Sequence, residues 1–185
     1  MEMNRLTMKG VRVRPVVVPL RRPIVSKVGS FSDWPLILID LYTEEGVVGR
    51  SYLEPYLKQS FRYIIPAIED LAAAAKGQPV APFDAYRRGV GSLHLVGREG
   101  VTLIAVSGLD MAAWDALARA AGIPLAVYLG GSVGPVPAYN SNGLWPTAPD
   151  ALAAEAASLV AEGGFEDPAG SGAAGRRPGR GRGRP

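Results

Sequence analysis

Residues 105–131 read AVSGLDMAAWDALARAAGIPLAVYLGG, and they fix the kind of fold the rest must complete. Ala105, Leu109, Ala112, Ala113 and Ala116 recur at helical spacing and make a narrow, small-residue face on a helix predicted over Val101–Ala121. Such a face lets a neighbouring helix or sheet approach closely. Gly122 is a stop signal, and Pro124 opens a further short turn of helix up to Leu129.

Upstream, the pattern changes from helix to sheet. Val11, Val13 and Val16–Val18 form a β-branched run broken by Pro15, which suits an edge or bulged strand. Leu36–Thr43 and Gly46–Tyr52 read as two strands joined at Glu44-Glu45. Between them and the first strand, Arg21–Trp34 is rich in Ser, Gly and Pro and reads as a functional loop. Ser60–Ala75 has helical periodicity with Pro66 near its start, and Ala81-Pro82 opens a short helix through Arg88.

Downstream, Val136–Ser141 reads as a short strand and Asp150–Glu162 as a helix with Asp150 at its N-cap. This is a single βα unit. After Gly163-Gly164-Phe165 the composition becomes Gly, Arg, Pro, Ala and Ser, which cannot bury a core and predicts a disordered tail over 166–185. The same mixture is what a shifted reading frame in GC-rich DNA yields, and we read the tail so. There are no internal repeats.

The 185 residues are 48% apolar, ample for a core, but too few for a complete (β/α)₈ barrel, which takes about 250. The absence of Cys excludes disulfides, thiolate metal sites and cysteine nucleophiles. The net charge of +3 resides wholly in the tail, because residues 1–165 carry 15 basic and 15 acidic side chains. RNA-binding Arg-Gly segments interleave aromatics for base stacking, and residues 166–185 have none, which weighs against nucleic acid. The start lacks the apolar core of a signal peptide, and strongly apolar runs such as Leu36–Ile39 are far shorter than a membrane span. A cytoplasmic protein without a membrane partner is the expectation.

The catalytic inventory is poor. Asp110 and Asp115 lie about 140° apart around the helix axis and do not converge. His94 stands alone, whereas a metal site needs several convergent ligands. Asp40 interrupts an apolar strand and reads as a hydrogen-bonded structural residue rather than a base. No phosphate loop, nucleophile elbow or His-Glu helix pair is present.

Two stretches resemble the N-terminal part of the enolase superfamily, in its mandelate racemase and muconate-lactonizing group. One is Val18–Tyr56, VPLRRPIVSKVGSFSDWPLILIDLYTEEGVVGRSYLEPY. The other is Ala105–Gly131, where Asp110, Ala112, Trp114-Asp115, Pro124-Leu125 and Leu129-Gly130 stand in the family's order, with Tyr128 where Leu is usual. Pro137–Ser141 resembles the first barrel strand. The resemblance implies an α+β capping domain over residues 1–130, with a three-stranded antiparallel sheet followed by helices. It implies the first βα unit of an otherwise missing TIM barrel over 131–165. The Val101–Ala121 face would pack the cap against that barrel and, without it, would lack much of its partner surface.

The family's chemistry is Mg²⁺-assisted removal of the proton α to a carboxylate, in racemisation or dehydration of hydroxy acids or sugar acids. The resemblance gives this chain the specificity cap. Ile24, Ser26, Val28 and Phe31 match the pocket wall, Tyr56 an aromatic leaning over the substrate, and Ser141 a residue that hydrogen-bonds it. The implied partner is a small-molecule carboxylate. The family's Lys-x-Lys or Lys-x-Arg base should follow Gly164-Phe165, where the chain reads Glu166-Asp-Pro-Ala-Gly-Ser. No catalytic residue and no Mg²⁺ ligand is therefore assigned, and the chain alone is expected to be inactive. A non-catalytic interaction module and a nucleic-acid binder acting through the tail are the rival readings. Exposed apolar surface in a cap without its barrel implies self-association.

Overall fold

A computed structural model describes residues 5–136, 143–145 and 148–162. Three strands, β1 (Met8–Ser26), β2 (Gly29–Thr43) and β3 (Val48–Leu53), form a sheet in the order β1-β2-β3. Five helices follow: α1 (Phe61–Ala75), α2 (Pro82–Ser92), α3 (Val101–Ala121), α4 (Leu125–Tyr128) and α5 (Pro149–Ala161), with a 3₁₀ turn over Lys58–Ser60 before α1. The chain divides into two compact units, one of Met1–Leu20 with Asp33–Val133, the other of Arg21–Ser32 with Gly134–Pro185.

In the first unit, β2 and β3 pair antiparallel with Ile37 opposite Leu53 and Tyr42 opposite Val48. Alternation along β2 sends Ile37, Ile39 and Leu41 to one buried face, where Ile64, Ile68 and Ala72 of α1 meet them. Gly46, at φ +84°, lets the connection turn between Thr43 and Val48, and the Thr43 hydroxyl bonds both ways to the Val47 backbone.

The small face of α3 packs on this same sheet, chiefly on β3. A Cβ on Gly49 would fall 2.0 Å from the Ala112 carbonyl oxygen, and one on Gly108 would fall 2.6 Å from the Ile39 side chain. Ala105, Ala112 and Ala116 are fully buried in this contact. The expectation that this face is reserved for a barrel is thereby corrected. Small residues allow close approach, and the partner approached is the cap's own sheet. By length and composition alone α3 is also apolar enough to cross a membrane, with a mean hydropathy of 1.4 over its best window. No apolar run was expected to reach that length. Its burial against β3, α1 and α2 marks it as a core helix.

Gly122 ends α3 in the left-handed conformation at φ +67°, as its position predicts. Two other boundaries differ. The segment Arg21–Trp34 is not a loop: β1 and β2 run on through it, and only Lys27 and Val28 form the turn. Asp150 is not an N-cap. Ala148 holds that position, Pro149 is the first helical residue with its φ preset, and Asp150 lies in the first turn, where a negative charge complements the helix dipole. Residues 137–142, where the short strand was expected, and the tail after Glu162 lie outside the described residues.

Candidate functional site

The tip of the β1–β2 hairpin carries four of the residues matched to a pocket wall. Ile24 and Phe31 are half-buried on opposite arms, Ser26 is exposed, and Val28 in the turn is 86% exposed. The Val28 N–H donates to the Ser26 hydroxyl (3.3 Å), and that hydroxyl donates to the Gly29 carbonyl (3.4 Å). Ser26 thus ties the turn and holds Val28 outward. Gly29 has φ +147°, which a side chain would resist. Within the same unit, Arg22 makes a bidentate ion pair with Glu162 at the end of α5, one of its bonds 2.9 Å long. That pair raises the arginine's pKa and lowers the carboxylate's.

Tyr56 belongs to the other unit, in the connection after β3. It is 62% exposed and held at φ +61°, left-handed for a residue with a side chain. Its ring meets Trp34 edge-on at 6.2 Å. Beside it, Lys58 donates to Asp33 at 2.7 Å, fastening the connection to the start of β2. The sequence reading named Tyr56 but not the neighbours that surround it, Trp34, Asp33 and Lys58. Only the position of Trp34 at the end of the Ser/Gly/Pro-rich stretch hinted at it. Ser141 lies outside the described residues.

Of the carboxylates singled out in the sequence, Asp40 and Asp115 are engaged in structural bonds and Asp110 stands apart from them. Asp40 is 8% exposed and accepts Arg14 at 2.6 Å, with Arg50 at 3.4 Å, the structural role expected of it. Asp115 accepts the Arg50 backbone N–H (2.7 Å) and Arg119 Nε (2.6 Å), stitching α3 to β3. Asp110 is half-buried, and burial raises its pKa. His94 is exposed in the turn after α2. Magnesium demands near-octahedral oxygen ligands, and among the described residues no three His, Cys, Asp or Glu side chains converge. With no such cluster, and with Asp40 and Asp115 each held by arginine, the described residues do not fit a Mg²⁺ site.

A three-stranded antiparallel sheet followed by helices, with Asp40 and Asp115 engaged in structural bonds, is the architecture of an N-terminal capping domain. The chain belongs to the mandelate racemase / muconate lactonizing enzyme family, whose N-terminal domain profile matches residues 8–130. It is similar to an enolase from alpha proteobacterium BAL199 crystallised with Mg, at 52% identity over 86% of this chain and 44% of that one, with a TM-score of 0.82. An enolase from Bradyrhizobium complexed with magnesium and mandelic acid is 39% identical over 74% of this chain and 38% of that one, with a TM-score of 0.70. L-talarate/galactarate dehydratase of Salmonella typhimurium is 46% identical over 48 residues, 26% of this chain and 12% of the dehydratase. The chain thus spans less than half the length of these relatives.

Proposed function

We propose that this chain is the substrate-specificity cap of a Mg²⁺-dependent enzyme that removes the proton α to a carboxylate, in racemisation or dehydration of a hydroxy acid or sugar acid. The observation that carries this reading is the family match over residues 8–130, together with relatives crystallised with Mg and with mandelic acid. The hairpin's part is to present Ile24, Val28 and Phe31 to the non-reacting end of the substrate and to exclude water, which strengthens electrostatics in the reacting half. Tyr56, braced by Trp34, is taken by itself as a further aromatic substrate contact. No described residue is given a part in proton transfer or metal binding in this reading, and the chain by itself is expected to be inactive.

Two measurements test this. With Mg²⁺ present, the purified chain should show no turnover of mandelate, talarate, galactarate or glucarate; turnover above a metal-only blank overturns the assignment of an inactive cap. Transplanting residues 21–34 into the Bradyrhizobium relative should change its mandelate affinity severalfold. An unchanged affinity overturns the role given to the hairpin.

A further inference from the structure

A cavity lies inside the first unit, between the sheet and helices α1, α2 and α3. Its volume is about 170 Å³, and none of its lining residues belongs to the hairpin tip or to the Tyr56 connection. Met8 and Leu41 face it from the sheet, Leu71 from α1, and Val106 from α3. On the α2 side it is lined by Ala85, Tyr86, Arg88, Gly89 and Ser92, and the two small residues, Ala85 and Gly89, leave room within it. A Cβ on Gly89 would meet Val106 at 3.3 Å. Apolar cavities of about 150 Å³ lined by aliphatic side chains stay dry and accept a single benzene-sized ring.

The wall is not wholly apolar. Arg88 lines the cavity and also the neighbouring groove, where Arg5 and Arg87 add positive charge. Arg87 pairs with Asp84 at 3.8 Å, but Arg88 has no carboxylate partner among the described residues. A guanidinium without a partner beside an apolar hole matches a ligand with a ring at one end and a carboxylate at the other. We propose that this cavity binds a single-ring aromatic carboxylate, its ring between Leu71 and Val106 and its carboxylate on Arg88. This is a ligand site apart from the substrate site of the cap, and it does not depend on the function proposed above.

The test uses the full chain, with benzoate and toluene as probes and methyl NMR as the readout. Benzoate should produce saturable shifts at Met8, Leu41, Leu71 and Val106. Arg88→Met should weaken benzoate about tenfold, the worth of one charge-assisted hydrogen bond, while leaving toluene unchanged. Ala85→Leu should fill the cavity and abolish both. Should that variant fail to fold, Ala74→Leu blocks the same cavity from α1. No saturable shift with benzoate, benzoate affinity indifferent to Arg88→Met, or binding that survives a folded cavity-filling variant would each overturn the proposal.

Discussion

Gly49 and Gly108 set the distance between α3 and the sheet, and neither needs its glycine for a left-handed backbone. What they need is the missing Cβ, since Gly49 meets the Ala112 backbone oxygen, which cannot rotate away. Gly49→Ala should therefore cost about 3 kcal/mol in urea unfolding, the upper range for overpacking. Gly10→Ala, in a strand with nothing within 4 Å of the new methyl, should gain about 0.5 kcal/mol. Two carboxylates should give the unfolding free energy opposite pH slopes. Burial raises the pKa of Asp110, so its contribution favours folding at acid pH and is lost as pH rises through its folded value. The Thr7 N–H, 2.8 Å from Glu45, lowers that group's pKa. Its contribution is present above the ordinary carboxylate range and is lost as pH falls through the folded value. Urea midpoints across that range should show Asp110→Asn removing a decline towards neutral pH and Glu45→Gln removing a decline towards acid. Changes of the same sign in both variants would contradict this assignment.

At the scale of elements, β1 shows why part of the fold was hidden in the sequence. Pro15, Pro19 and Pro23 are spaced four apart, so all three lack their N–H on the same side of the strand. β1 is an edge strand, where a side without a full row of donors is tolerated. Read locally, Pro23 with Ser26, Gly29 and Ser30 looks like a loop, whereas Pro15 already read as part of an edge strand; in register, all three prolines remove donors from one side of β1. Pro35 follows the same logic. It lies in the central strand but two residues before Ile37, the last β2 residue opposite β3. The bounds of α3, by contrast, were legible because Gly122 and Pro124 are local signals. The partner of α3 was not, because small residues report how near a neighbour comes and not which neighbour it is. The hairpin residues and Tyr56 were legible only through the family pattern, and the Trp34 contact to Tyr56 only through the fold. Replacing Pro15, Pro19 and Pro23 with Thr should restore the edge donors and make the chain prone to strand-pairing aggregation. Light scattering with thioflavin fluorescence should rise over the parent, and a variant as soluble as the parent would refute this role for the prolines.

For the whole molecule, the balance of charge and exposed apolar surface governs association. Residues 1–165 are electrically neutral overall and the whole chain carries only +3, so long-range repulsion between copies is weak. Val17 and Val18 on β1, Phe83 on α2, and Leu95 and Val96 in the following turn are exposed. The prolines of β1 disfavour pairing through that edge, which leaves contact between apolar side chains as the route to association. We therefore expect reversible self-association that strengthens as protein concentration rises. It should persist at high salt, because apolar contact is not screened as ion pairs are, and it should bring no gain in β-structure. Sedimentation velocity over a concentration series, at low and high salt, measures this directly. A single monomeric species throughout would rule it out, and association abolished by salt would transfer the cause to the arginine-rich tail, the part of the chain where net charge resides.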